Sequence, residues 1–187
     1  MKYEKVITLR DGVPCCIRSA AGSDAQAVLD NFLLTHAQTD YLLTYPDEKQ
    51  FTVEEERAFL KEKYESDRAV ELIALVRGTV VATAGIDAVG DREKIRHRAE
   101  FGVSVDTAYQ GLGIGSALTG ACIECAKAAG YLQLELDAVA GNERAVSLYR
   151  KFGFAEYGRN PKGFLARTGK FQELILMRLV LGGGKRT

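Results

Sequence analysis

Apolar positions along the chain alternate between a period of two and a period near 3.6, and the changes of period mark its elements. Val6 to Leu9 and Pro14 to Arg18 are strand-like, and Asp11-Gly12 between them is a turn signal, so a hairpin opens the chain. Behind Ser23, placed to cap a helix, Ala25, Val28, Leu29, Phe32, Leu33 and His36 form one stripe. His36 ends that stripe as a partly buried residue at a helix C-terminus, with a catalytic use as the alternative. Residues 39–50 hold Tyr41, Leu42, Leu43 and Tyr45 without helical period. They are expected to pack on the core, with the wall of an acceptor pocket as the alternative. Thr52-Val53-Glu54-Glu55 is a capping box, opening a helix to about Ser66 that carries Phe59, Leu60 and Tyr64. Glu54, Glu55 and Glu56 fall in its first turn, where negative charge offsets the helix dipole.

Val70 to Val76, Val80 to Ala88 and Arg96 to Val105 then form an antiparallel meander, with Gly85 marking a bulge or a close contact. Ile114, Leu118, Cys122, Cys125 and Ala129 return to helical spacing, and Gly130 stops that helix. Leu132 to Ala138 alternates again, with Gln133, Glu135 and Asp137 on a polar side. A right-handed crossover lays this strand parallel to residues 101–105. Asn142 caps a helix whose face is Ala145, Leu148, Tyr149 and Phe152. Phe154 to Asn160 and Phe171 to Val180 close the chain as a strand pair joined through residues 161–170. The expected architecture is α+β: a mixed, mostly antiparallel central sheet, a parallel βαβ unit at its middle and about four helices. One domain over residues 1–181 and a loose tail over 182–187 are expected.

Composition narrows the function. Twenty-five basic residues balance 25 acidic ones among 187, without the basic excess of a nucleic-acid binder. No apolar run reaches membrane-spanning length and the first residues are charged, so neither a membrane partner nor a signal peptide is expected. Four cysteines make no disulfide framework, which points to a reducing cytoplasm. Cys122 and Cys125 form a C-x-x-C inside a helix; buried apolar packing is the expectation, with zinc or redox use as the alternative. No metal is expected.

Chemistry concentrates in Phe101 to Gly115, which runs from a strand into a turn with Gly111, Gly113 and Gly115 and then into a helix start. Strand, glycine turn and helix N-terminus together aim backbone N–H groups at one point, an anion site. No Lys follows Gly115, which argues against a nucleoside-triphosphate loop, and Ser116 stands where a dinucleotide fingerprint needs its third glycine. What remains is Q-x-x-G-x-G at Gln110, Gly113 and Gly115, or a glycine turn that only closes the βα unit. The first pattern resembles the pyrophosphate loop of the GNAT superfamily of acetyl-CoA-dependent N-acetyltransferases. A second segment, Asn142 to Phe154, reads N-x-x-A-x-x-L-Y-x-x-x-G-F and is similar to the segment these proteins carry after their second parallel strand. Both motifs stand in the family's order, and the element order agrees over most of the chain.

The resemblance implies acetyl-CoA as cosubstrate and a small-molecule or peptide amine as acceptor: a small amine, polyamine, amino acid or protein N-terminus. It implies that the acetyl-pantetheine arm enters between splayed parallel strands, beside Val103, Ser104 and Val105, with the Val103 N–H on the carbonyl. It further implies that Gln110, Gly111, Leu112, Gly113, Ile114, Gly115 and Ser116 hold the pyrophosphate and that Asn142 lies near the arm. Tyr149 would protonate the departing thiolate. Glu100, sharing a strand face with Gly102 and Ser104, would be the base, its pKa raised by partial burial; a surface pair with Arg96 or Arg98 is its alternative role, and His97 or water the alternative base. A non-catalytic acetyl-CoA sensor on the same fold is the rival function, and a homodimer is compatible with exposed sheet edges.

Overall fold

The computed structural model describes residues 1–48 and 51–182; residues 183–187 of the expected tail, and 49 and 50 of the loop before the second helix, lie outside the described residues. The elements follow in the order β1 (Glu4–Thr8), β2 (Pro14–Ser19), α1 (Ala25–Ala37), α2 (Val53–Glu65), β3 (Val70–Val76), β4 (Thr79–Ala88) and β5 (Arg98–Val105). They continue as α3 (Ile114–Ala128), β6 (Gln133–Val139), α4 (Glu143–Lys151), β7 (Ala155–Leu165) and β8 (Phe171–Val180). Among the described residues the strands join one eight-stranded sheet in the order β1-β2-β3-β4-β5-β6-β8-β7. Every pair is antiparallel except β5 with β6.

Alternation gives the sheet two different faces. Leu72, Ala84, Phe101 and Leu134 point to one side, where they bury Ile114, Leu118 and Cys122 of α3 and Val146 and Tyr149 of α4 in the main core. Cys122 and Cys125 are part of that core, and burial pushes both thiols up, Cys125 to about 11. On the opposite face Ile73 packs under Val28 of α1 and Leu60 of α2 in a smaller cluster.

Several details depart from the sequence expectation, each for a local reason. Residues 22–24 form a 3-10 turn, and Ser23 does not cap α1. Asp24 organises the entry instead: its carboxylate accepts from the Ala21 N–H at 2.9 Å and holds Arg18 of β2 through two bonds of 2.7 and 2.8 Å. The buried face of α1 is Ala25, Val28, Asn31 and Thr35, rotated from the apolar stripe. Its polar members are partly paired: the Asn31 amide nitrogen donates to the Val80 carbonyl at 3.3 Å and the Thr35 hydroxyl to the Asn31 carbonyl at 2.9 Å, while the Asn31 side-chain oxygen is buried without a hydrogen-bond partner among the described residues. The capping box at Thr52 and Glu55 forms, but Glu56 turns under α2 and is buried rather than offsetting the dipole in solvent. Of the two readings of Gly85 the close contact holds, and the register shift in the meander falls at Ala74/Leu75. Strand β7 runs on through Pro161 to Leu165. It is the edge of the sheet, with its register broken between Asn160 and Phe164, and there a residue without an N–H costs no ladder bond.

Candidate active site

The parallel pair holds for three rungs only. Arg98, Ala99 and Glu100 face Gln133, Leu134 and Glu135, and beyond them β5 runs to Val105 and β6 to Val139 without pairing to each other. Two strands that start side by side and then part leave a gap with free backbone groups on both walls. At the last rung Glu100 stands opposite Glu135, a like-charged pair that a ladder does not favour. Glu135 is buried, and Arg98 at the base of the gap neutralises it through a forked pair: Nε on one carboxylate oxygen and a terminal guanidinium nitrogen on the other at 2.7 Å. That guanidinium holds the Glu135 carboxyl below its usual range.

Two cavities meet in the gap. The first, of about 420 Å³, lies on the α3/α4 side. Gln110, Gly111, Gly113, Gly115, Ser116, Val103, Val105 and Asn142, all expected here, line it. Gly111 and Gly113 have φ of 85° and 103°, so the turn itself demands glycine at both. Gly115, in the first turn of α3, has no such demand: a Cβ there would stand 3.7 Å from Leu148 and Val105, in ordinary contact and inside the cavity. The space is kept free of side chain, as a cradle for a ligand's phosphates needs. Leu112, Ile114 and Ser104 place their side chains elsewhere. Ile114 is in the core, Leu112 packs against it, and the Ser104 hydroxyl lies 3.3 Å from that of Thr83 on the opposite face, so none of the three lines the cavity. Three cations not singled out from the sequence, Arg10, Arg144 and Lys151, also line it. Arg10 donates to the Gly111 carbonyl at 3.1 Å, and Arg144 to the Gln110 side-chain oxygen at 3.2 Å. The set fits a polyanionic coenzyme such as CoA: N–H groups at a helix start, a bare Gly115 and three positive side chains.

The second cavity, of about 560 Å³, opens on the α1/α2 side. Glu100, Glu135 and Asp137 with one cation, Arg98, give it an acidic floor that Gly102 leaves open, and Tyr41, Leu42, Leu43, Tyr157, Phe164 and Leu176 its apolar walls. Glu100 is exposed rather than partly buried, and Arg98 is committed to Glu135. His97 does not line the cavity; its carbonyl accepts from Leu132 and Gln133 before the gap begins. Asp137 was not foreseen, although its place on the polar side of a central strand was the available signal. Desolvation and then the Glu135 charge raise its carboxyl. The loop with Tyr41 walls this cavity instead of packing on the core, since Leu43 is 77% exposed. The Tyr41 hydroxyl donates to the Gly141 carbonyl at 3.4 Å, beside Asn142. His36 stands outside it, half-buried and stacked on Phe32 at 3.7 Å, with burial lowering its pKa.

Val103, Asn142, Ala145 and Tyr149 line both cavities and so mark their junction. Asn142 accepts from the Ala145 N–H at 3.2 Å and thereby caps α4. Tyr149 sits in an aromatic group, edge-on to Phe101 at 6.0 Å and 5.9 Å from Phe154. Burial pushes its phenol up to about 12, so at neutral pH it carries its proton.

Comparison with known proteins agrees with this geometry. The acetyltransferase (GNAT) family model matches residues 33–154. The L-amino acid N-acetyltransferase AaaT of Escherichia coli is 32% identical over 111 residues, 59% of this chain and 67% of that protein. A GNAT-family acetyltransferase structure from Streptococcus pneumoniae superposes with a TM-score of 0.84 at 31% identity, over 89% of this chain and 99% of the other. The yncA protein of Salmonella typhimurium, solved with its cofactor acetyl-CoA, has a TM-score of 0.80 over 91% of this chain and 96% of its own; at 20% identity it speaks for the fold alone. With the fold, the motif order and these relatives in agreement, the chain belongs to the GNAT family of acetyltransferases and is an acyltransferase.

Proposed function

We propose that the protein moves the acetyl group of acetyl-CoA directly to the primary amine of a small acceptor. The observation that carries this reading is the meeting of a cationic, glycine-cradled cavity and an acidic, apolar-walled one at Val103, Asn142, Ala145 and Tyr149. Acetyl-CoA supplies an activated acetyl thioester, which an amine attacks once the two are held together. Backbone N–H groups around Gly113 to Ser116, with Arg10, Arg144 and Lys151, bind the phosphates. The N–H of Val103 on the unpaired stretch of β5 polarises the acetyl carbonyl. The acidic floor attracts the acceptor as its ammonium, and Glu100 takes a proton from the nitrogen through water. Tyr149 then gives its hydroxyl proton to the departing sulfur, so the thiol leaves neutral. AaaT acts on L-amino acids, and the cavity walls here suit an amine with an apolar substituent. Acetyl transfer to matched amines, followed by mass spectrometry in the parent and in Glu100→Gln, tests the assignment: a rate loss of about 10-fold or more supports Glu100 as the proton acceptor, and an unchanged rate removes it.

A further inference from the structure

One carboxylate on the acceptor face of the sheet has no part in the reaction as described above. Glu71 stands on β3, two strands from the gap. Its partner across β4 is Gly85, and the partner of Gly85 across β5 is Gly102. A single row therefore crosses this face as Glu71, Gly85, Gly102 and then the gap, and two of its three positions carry no side chain. A Cβ at Gly85 would lie 2.4 Å from the Glu71 Oε2, so the carboxylate already lies over Gly85 and reaches toward β5. A Cβ at Gly102 would meet nothing within 4 Å, and Gly102 lines the acceptor cavity. Strands β3 and β5 are about 9.6 Å apart, two strand spacings. A carboxylate over the middle strand has about half of that left to cross, the span of one bridging water.

We infer that Glu71 receives the proton of the acceptor ammonium through water standing over Gly102, in series with Glu100. The inference rests on the acetyltransferase reading of the same site. Glu71 does not touch the reacting atoms; it is a positioning residue for deprotonation. In the step an N–H bond of the ammonium breaks, water passes the proton on, and an O–H bond forms on Glu71, while the nitrogen keeps the electron pair that attacks the thioester.

The surroundings suit a proton acceptor. Helix α2 lays Glu56 and Lys63 over Glu71, and Asp87 follows Gly85 by two residues on β4. Lys63 pairs with Asp87, and Arg18, the nearest cation on β2, is held by Asp24. Toward the gap the facing charges are Glu100, Asp137 and the Arg98–Glu135 pair, whose cation is held by Glu135. Under α2, Glu71, Glu56 and Asp87 share one lysine, Lys63. Burial raises the Glu71 carboxyl; Lys63 opposes this and Asp87 and Glu56 add to it, bringing it to about 7. Such a group is available as a base above neutrality and is a stronger one than an exposed carboxylate.

The experiment is kcat/KM against pH, from about 5.5 to 9, for the parent, Glu71→Gln and Gly85→Ala. Gly85→Ala keeps the carboxylate but puts a methyl where its oxygen lies. Each protein is assayed with one amine that is protonated at neutral pH and one that is already neutral there. The parent should show a rise through about pH 7 with the protonated amine. Both variants should lose that rise and about 10-fold or more in kcat/KM at pH 7. With the neutral amine the loss should shrink to about 2-fold, and the acetyl-CoA Kd should hold within about 2-fold. A Glu71→Gln enzyme that keeps the rise and the rate overturns the inference. So does an equal loss with both amines, which would mark a structural role. If Gly85→Ala does not fold, Glu71→Gln decides alone. A parent that acetylates neither amine is a separate failure, of the transferase reading and of this inference with it.

Discussion

Gly115→Ala separates what the fold needs from what the ligand needs. Gly111 and Gly113 hold positive φ, and a side chain at either strains the turn whatever binds there. Gly115 lies inside α3 with ordinary helical geometry, and its added methyl would touch Leu148 and Val105 at 3.7 Å without a clash. Replacing glycine by alanine in a helix gains about 0.5–1 kcal/mol. In a chain of this size that is a rise in Tm of about 1–4 °C. The same methyl stands in the 420 Å³ cavity, between the helix N–H groups and an approaching phosphate. Acetyl-CoA binding should therefore weaken by at least about 10-fold, or about 1.4 kcal/mol. Thermal melting without ligand and calorimetric titration with acetyl-CoA measure the two effects on one preparation. A stabilised variant with unchanged affinity would refute the loop assignment, and a destabilised one would show that the fold itself reserves Gly115.

Other perturbations test other parts of the site. Tyr149→Phe keeps the ring contacts with Phe101 and Phe154, and its hydroxyl has no hydrogen-bond partner among the described residues. Melting should shift by less than about 2 °C while turnover falls about 100-fold or more, and full turnover would give the acid role to another group. Arg144→Ala should raise the acetyl-CoA Kd and flatten its dependence on salt, leaving acceptor KM unchanged; an unaltered salt slope would remove Arg144 from the phosphate site. Arg98→Met leaves the buried Glu135 carboxylate without its cation. The cost should be about 2 kcal/mol at pH 7, below the roughly 3–5 of a fully buried pair because Arg98 is one-third exposed. Arg98 holds the Glu135 pKa down, so its stabilisation is present at neutral pH and lost as pH falls through the folded-state pKa. Melting curves of the two proteins should converge in acid, and a constant difference at all pH values would contradict the pairing.

The sequence carried the order of elements and the half of the site that is local in the chain. Gln110 to Ser116 and Asn142 to Tyr149 declare themselves because each motif lies in one turn or one helix. Arg10 reaches the same cavity from the β1–β2 turn, and no local pattern announces a contact made across a hundred residues. The acidic floor was half visible: Glu135 and Asp137 are charged positions in a strand that the βαβ unit puts at the centre of the sheet, where a polar side has to face an opening. Glu71 was hidden for a related reason, since only the register shows that two glycines clear its path. The α1 stripe misled because the Asn31 amide nitrogen and the Thr35 hydroxyl find backbone acceptors under the helix, and those two residues are buried while Leu33 of the stripe is only half-buried and Leu34 is exposed. Pro161 reads as a strand end until β7 is known to be an edge.

The central claim is acetyl transfer through the gap between β5 and β6. The most direct measurement incubates the protein with acetyl-CoA and a panel of polyamines, amino acids, amino sugars and short peptides, and reads products by mass spectrometry. Mass detection also avoids a thiol dye, which the four cysteines would confuse. An amine carrying one added acetyl group is expected, with CoA released in equal amount and both falling together in Tyr149→Phe. Acetyl-CoA bound with no amine acetylated across the panel would contradict it.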